Sequence, residues 1–180
     1  MQPMKQLERT LAKLADGEHY LFSSSDLRGA CPGRKDPAVL LSRAVKAGVL
    51  QRVCRGLYLY PRVAYPAGMV LFHAAARLRA DEFNYVSLET ALSDAGIISQ
   101  VPAQWITLMS SGRSHTIRCG EFGHVEFVHT SRRPQDLADQ LAYDPACRLW
   151  RASAALALRD MRATRRNKDL IDWEVARELV

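Results

Sequence analysis

The residues of this 180-residue chain with the strongest claim to covalent chemistry are Ser110, Ser111, Ser114 and His115. A serine and a histidine make a nucleophile and its base only when their side chains meet. Ser114 and His115 are adjacent at the start of an expected strand, where successive side chains point to opposite faces, so they are poorly placed to do so. His73, His124 and His129 add imidazoles, but their spacing fixes no ligand geometry, and no metal site is expected. Cys31, Cys54, Cys119 and Cys147 form no Cys-x-x-Cys pair and read as reduced, packed thiols. Asp81, Glu82, Glu89 and Asp94 are spread around helix ends, where a carboxylate favours the positive dipole end or water. The chain carries no Gly-rich phosphate loop with a lysine, no His-Glu-x-x-His helix and no Gly-x-Ser-x-Gly elbow. We therefore expect no catalytic residue, no cofactor and no enzymatic activity.

The other available chemistry is charge. Of the net +6, residues 1–66 hold 11 Lys+Arg against 5 Asp+Glu, giving +6, and residues 67–180 hold 14 of each, giving zero. The whole excess of positive charge thus lies in the first third of the chain, as an electrostatic footprint for a polyanion requires. Its densest part is the run from Arg34 through Lys35, Arg43, Lys46 and Arg52 to Arg55.

The elements that position these cations read as a winged helix-turn-helix. Met4, Leu7, Leu11 and Leu14 repeat at helix spacing, Tyr20 to Phe22 is a short extended apolar segment, and Ser24 or Ser25 caps a second helix through Leu27 and Ala30. After the Cys31-Pro-Gly-Arg-Lys turn, Asp36 caps a third helix with Pro37 at its first position, and Gly48 stops it. On a 3.6-residue wheel, Leu40, Leu41, Ala44, Val45 and Ala47 share one side. Val39, Ser42 and Lys46 lie opposite, with Arg43 at the margin. That outward side suits the DNA major groove, and it also suits an ordinary solvated face; the charge division favours the first. Arg34 and Lys35 stand just before the helix, where backbone amides attract phosphate. A hairpin from Val49 to Tyr60 turns at Arg55-Gly56, with Arg52 and Arg55 placed to meet the DNA backbone.

Pro61 and Pro66 bracket an expected hinge, dividing the chain into a DNA-binding domain over 1–62 and an α+β domain over 67–180. In the second, a helix is expected over Ala67 to Ala80. Ser87 caps another that Gly96 ends, with Thr90 in the capping-box slot. Strands at Trp105–Met109, His115–Cys119 and Val125–Val128 suggest a small antiparallel sheet with flanking helices. A short helix is expected over Pro134–Leu141, a central one over Leu149–Met161, and a last one over Asp169–Leu179 that buries Leu170, Ile171, Trp173 and Ala176. The fold class is therefore α+β. No apolar run approaches the roughly 20 residues of a membrane helix, and the start of the chain lacks a signal-peptide core, so a cytoplasmic location is expected.

Three segments together resemble a known family: Tyr20 to Leu27, Leu41 to Tyr58, and Tyr85 to Ile98 with its Ser-Leu-Glu-Thr-Ala-Leu run. They look like the AbiEi-type antitoxins of bacterial type IV toxin–antitoxin systems, and the Ala152 to Met161 stretch is similar to the C-terminal region of that family. The resemblance implies a winged helix that binds inverted repeats in the promoter of its own operon and represses it. It also implies a C-terminal domain that counters a nucleotidyltransferase-like toxin. By position in the matching segment, DNA contacts fall on Ser42, Arg43, Lys46, Arg52 and Arg55. For toxin neutralisation no motif transfers, and the basic cluster Arg162, Arg165 and Arg166 is the candidate surface. Asp94-Ala95 departs from the family pattern before Gly96, so no role is carried over there. The alternative reading is a winged-helix regulator whose second domain senses a ligand or dimerises, without a toxin.

Overall fold

The computed structural model describes residues 3–31, 37–99 and 101–180. The backbone divides at the first residue of a helix into two compact units, Met1–Val70 and Leu71–Val180.

The first unit runs α1 (Pro3–Leu14), β1 (Leu21–Ser23), α2 (Ser24–Gly29), α3 (Ala38–Lys46), β2 (Gln51–Cys54) and β3 (Leu57–Leu59). This is the element order of a winged helix-turn-helix. Among the described residues β1, β3 and β2 form one antiparallel sheet in that order, so the Tyr20–Phe22 segment supplies the strand that backs the hairpin. Leu7 and Leu11 of α1 share a core with Phe22, Leu27, Leu40, Leu41, Ala44, Val49 and Leu50. Each fully buried leucine contributes about 1.5–3 kcal/mol through removal of apolar surface from water.

Local chemistry sets the helix ends. The cap of α2 is Ser23, one residue before the expected Ser24 or Ser25. Its hydroxyl accepts the Asp26 amide at 3.1 Å while the Asp26 carboxylate accepts the Ser23 amide at 2.7 Å. A reciprocal box satisfies two helix-start donors at once, which a cap at Ser24 would forgo. Pro37 precedes the first residue of α3 and its carbonyl accepts the Leu41 amide at 2.9 Å; the expected cap, Asp36, lies outside the described residues. Gly48, at φ +68°, ends α3: its amide bonds the Val45 carbonyl at 3.1 Å and the Val49 amide bonds Ala44 at 2.9 Å. That paired pattern is the left-handed stop that glycine adopts without a Cβ clash. The segment expected as a hinge is held by the first unit, since Tyr65 stacks on Tyr20 with ring centres 5.0 Å apart and Arg62 pairs with Glu8 at 3.9 Å.

The second unit runs α4 (Val70–Leu78), β4 (Asn84–Val86), α5 (Leu88–Asp94), β5 (Trp105–Ser110), β6 (His115–Arg118), β7 (His124–His129), β8 (Leu141–Asp144), β9 (Leu149–Ala152), α6 (Ala154–Ala163) and α7 (Trp173–Leu179). Among the described residues its strands form one mixed sheet in the order β6-β7-β5-β4-β9-β8. The three expected strands are present, but β5 and β7 run parallel, in register from Trp105 opposite His124 to Ser110 opposite His129. In β5 every residue from Ile106 to Ser110 is buried, which places it in the middle of the sheet. A strand covered on both faces needs a neighbour on each edge, so β7 and β4 flank it and β6 is displaced to the outer side of β7.

Three expected helices are shorter than their periodicity suggests. Leu149–Ala152 is strand β9, because Ser153 takes extended backbone and its hydroxyl caps the Leu156 amide at 3.2 Å, delaying α6. Asp172 caps α7 by accepting the amides of Glu174 and Val175, and its own amide bonds the Ile97 carbonyl at 2.8 Å, while 168–171 form a turn closed by the Ile171 amide on the Lys168 carbonyl at 3.1 Å, so the helix starts only at Trp173. Ile171 and Ala176 are buried as expected, whereas Leu170 and Trp173 stand exposed. Pro134–Gln140 is 3-10 helix. The core gathers Tyr85, Leu88, Leu92, Ile97, Leu156 and Met161.

Candidate nucleic-acid interface

α3 presents two contrasting faces. Leu40, Leu41 and Ala44 are buried and Val45 is half-buried, while Ala38, Val39, Ser42, Arg43, Lys46 and Ala47 are exposed. Only Ala47 departs from the wheel, because it is the cap residue at which the chain leaves the helix. Ser42, Arg43 and Lys46 thus stand together on the outward face, at spacings that keep side chains within about one helical turn of each other. The basic residues fall in the last turn of the helix, where cations also favour the negative end of its dipole.

The wing is short. β2 and β3 join through Arg55-Gly56, with Gly56 at φ +79°, and the Gly56 carbonyl accepts the Ser24 amide at 2.9 Å, fixing the turn to the start of α2. Gln51 pairs with Leu59 and Arg52 with Tyr58, after which the register shifts before Cys54. Such a bulge twists the strand and re-aims its side chains. Arg52 and Arg55 are both exposed, and Arg52 Nε donates to the Cys54 carbonyl at 3.4 Å. Arg34 and Lys35, the expected phosphate contacts before α3, lie outside the described residues. A feature not singled out from sequence is the exposed row Lys5, Arg9 and Lys13 along α1. Its signal was present in the four-residue spacing. Asp16, beyond the end of α1, accepts the His19 and Glu18 amides at 2.7 and 2.8 Å, and those bonds hold its carboxyl below the ordinary range.

The second unit engages several of its cations within the fold. Arg166 reaches Glu89 Oε1 at 2.5 Å and Glu126 Oε1 at 2.7 Å, and Glu126 also accepts the Trp105 indole N–H at 3.1 Å. Burial opposes the Arg166 charge, but the bonds from the two carboxylates outweigh it and push its pKa up. The Arg166 bond holds Glu126 below the usual carboxylate range. Arg165 adopts φ +55°, and the Arg165 and Arg166 amides bond the carbonyls of Arg162 and Met161. These are the bonds of a left-handed helix stop, with arginine at the position glycine usually takes. The turn aims Arg166 inward and leaves Arg162 and Arg165 exposed. Of the three expected neutralisation residues, two are therefore available to a partner and one is engaged with the fold.

Arg151 likewise joins Asp94 and, at 2.6 Å, Asp144. The fully buried Asp160 carboxylate accepts the Ser87 hydroxyl at 2.7 Å, the Tyr85 hydroxyl at 3.1 Å and a charged bond from Arg132. Ser87 occupies the start of α5 as expected, but its hydroxyl makes no cap bond; Thr107 of β5 accepts the Thr90 amide at 3.1 Å instead. Of the residues weighed for catalysis, His115 is exposed at the start of β6, and the three serines are hydrogen-bonded within the fold. Ser110 accepts from Arg79 at 2.9 Å, Ser111 donates to Glu82 at 2.7 Å, and Ser114 accepts the His129 amide at 2.9 Å. His124 stacks on Trp105, and His73 Nε2 lies 2.8 Å from the Ala146 carbonyl oxygen. Among the described residues no group of three or more His, Cys, Asp or Glu is arranged to hold a metal ion, and all four cysteines are buried. No helix among them is long and apolar enough to cross a membrane.

The chain is similar over 94% of its length to the crystal structure of the RV2827C protein from Mycobacterium tuberculosis, with a TM-score of 0.62 and 16% identity. At that identity the likeness shows the fold, and the chain spans 64% of that protein's length. No curated protein matches. Residues 9–61, from α1 through the wing, match the family described as transcriptional regulator, AbiEi antitoxin. The match to that family is thus confined to the first unit, and within it covers both the helix-turn-helix and the wing.

Proposed function

We propose that the protein is a DNA-binding autorepressor that serves as the antitoxin of a type IV toxin–antitoxin system in the bacterial cytoplasm. In this reading α3 enters the major groove of inverted repeats in its own promoter, with Ser42, Arg43 and Lys46 facing the DNA. Arg52 and Arg55 of the wing, and Arg34 and Lys35 before α3, meet the phosphate backbone. The second unit counters a nucleotidyltransferase-like toxin, with Arg162 and Arg165 as its exposed basic contribution. No catalytic residue and no cofactor are assigned.

One observation carries the DNA half of this proposal: the outward face of α3 gathers Ser42, Arg43 and Lys46 in the unit that holds all of the chain's net charge. The match of that same segment to a family of transcriptional regulators supports it. The antitoxin half rests on the family description and on the sequence resemblance of Tyr85 to Ile98 and Ala152 to Met161. Two measurements test the halves separately. Retardation of DNA from upstream of the protein's own reading frame, set against unrelated DNA, tests repression; equal binding to both would overturn it. Growth rescue on co-expression with an adjacent nucleotidyltransferase-like reading frame tests neutralisation. A chain that binds its operator but rescues no such toxin would be the plain regulator considered above.

A further inference from the structure

We propose that Val39 is a specificity-determining residue that reads the 5-methyl group of a thymine in the operator. The inference rests on the reading of α3 as the helix that enters the major groove. Val39 lies in the first turn of α3 and is 53% exposed. It stands on the same face as Ser42, Arg43 and Lys46, with Val39 and Lys46 about 10 Å apart along the helix axis. Leu40 and Leu41, its neighbours in sequence, are 4% and 2% exposed, so Val39 contributes almost nothing to the core that holds α3 in place.

Helix stability does not account for a valine there either. At an exposed helical position a β-branched residue is a poorer choice than alanine, lysine or glutamate, because the preceding turn restricts its χ1. The same restriction has a use at an interface, since a side chain held near one rotamer loses little freedom when it is ordered against a ligand. An aliphatic side chain has no donor or acceptor, and in the major groove the apolar group offered by a base edge is the thymine methyl. The residues that reach base edges in helix-turn-helix proteins come from the N-terminal part of the recognition helix, which is where Val39 sits, whereas Arg43 and Lys46 follow one and two turns later. A division of labour follows within one face: Val39 selects a base, and the cations further along the helix hold the backbone or a guanine edge.

The test uses the full chain and a duplex that the wild-type protein enriches from a random-sequence pool. Each thymine is replaced in turn by deoxyuridine, which removes the methyl and leaves base pairing intact. At one thymine of each half-site the wild-type protein is expected to bind about four-fold more weakly, the effect of withdrawing one buried carbon from an apolar contact. Val39→Ala should bind the thymine duplex more weakly than wild type and lose nothing further on the deoxyuridine duplex, while its circular dichroism and unfolding midpoint stay at or above the wild-type values. Wild-type affinity unchanged at every thymine, or a Val39→Ala variant that keeps the full deoxyuridine penalty, would overturn the assignment to Val39 while leaving α3 as the recognition helix. If the wild-type protein enriches no sequence at all, the recognition-helix reading fails and this assignment falls with it.

Discussion

Ser87 donates its hydroxyl hydrogen to the Asp160 carboxylate at 2.7 Å, although Ser87 sits where a helix-start serine would ordinarily turn that hydroxyl to its own backbone. The local cap is given up for a contact between β4–α5 and α6, and Thr107 caps α5 from the neighbouring strand. Leu88, which follows, is fully buried at φ +56°. A non-glycine residue held there costs on the order of 1–2 kcal/mol and persists only when its surroundings fix it. The Asp160 network and the Leu88 packing are that fixing.

Removing Asp160 should therefore affect more than one bond. Asp160→Ala leaves the buried Ser87 and Tyr85 hydroxyls without their acceptor and Arg132 without its counter-charge, and a loss of about 2–4 kcal/mol is expected. Trp105, Trp150 and Trp173 are the chain's three tryptophans and all lie in the second unit, so urea unfolding followed by tryptophan fluorescence reads that unit alone. Ser87→Ala should cost about 1 kcal/mol by itself and little in the Asp160→Ala background, as expected of residues in one network. Additive losses would show that the two residues act independently.

Arg165 tests the helix stop. Its φ of +55° is available to glycine without a Cβ clash, so Arg165→Gly should stabilise the second unit by about 0.5–1 kcal/mol. Arg166→Ala should do the reverse, because it leaves Glu89 and Glu126 facing each other without their shared cation. The comparison also bears on neutralisation. Loss of toxin rescue in a stable Arg162→Ala, Arg165→Gly double variant would point to the basic surface, whereas loss confined to Arg166→Ala would track stability.

Glu126 supplies a pH signature. Its carboxyl is depressed, first by the Arg166 hydrogen bond, so the native state favours the ionised form more than the unfolded chain does. A group of that kind contributes stability that is complete above the ordinary glutamate value near 4.5 and is lost as pH falls through the lower folded value. Glu126→Gln should lower stability at pH 7 by about 1–2 kcal/mol and make the acid limb of the pH profile shallower. A variant as stable as wild type at neutral pH, with the same acid slope, would show that the Arg166 bridge contributes nothing net.

What the sequence revealed and what it concealed divide along contact distance. Gly48, Gly56 and the apolar side of α3 were legible because turn chemistry and helical period act within a few residues. Ser153 was hidden in the alanine- and leucine-rich run around it, and its cap converts the expected start of a helix into β9. The parallel pairing of β5 with β7 depends on which strands lie on either side of a buried one, a relation that no local pattern records. The basic cluster at 162–166 looked uniform in sequence. In the fold one arginine turns inward to two carboxylates contributed by residues 77 and 40 positions away.

The DNA face gives the sharpest solution test. Lys46→Ala and Arg43→Ala each remove an exposed cation from the outward side of α3 without touching its buried side. Each should weaken binding to upstream DNA at fixed salt. A residue whose partner is a phosphate should also reduce the slope of log affinity against log salt by about 0.9, because one fewer counterion group is released. A residue that contacts a base edge should instead leave that slope nearly unchanged and relax discrimination at one position, at a cost of about 1–3 kcal/mol. Measured side by side with Arg52→Ala and Arg55→Ala of the wing, these slopes would sort the cations into backbone and base readers. Wild-type affinity and slope in both α3 variants would remove α3 from the interface and transfer the charge footprint to the wing and to the Lys5, Arg9 and Lys13 row of α1.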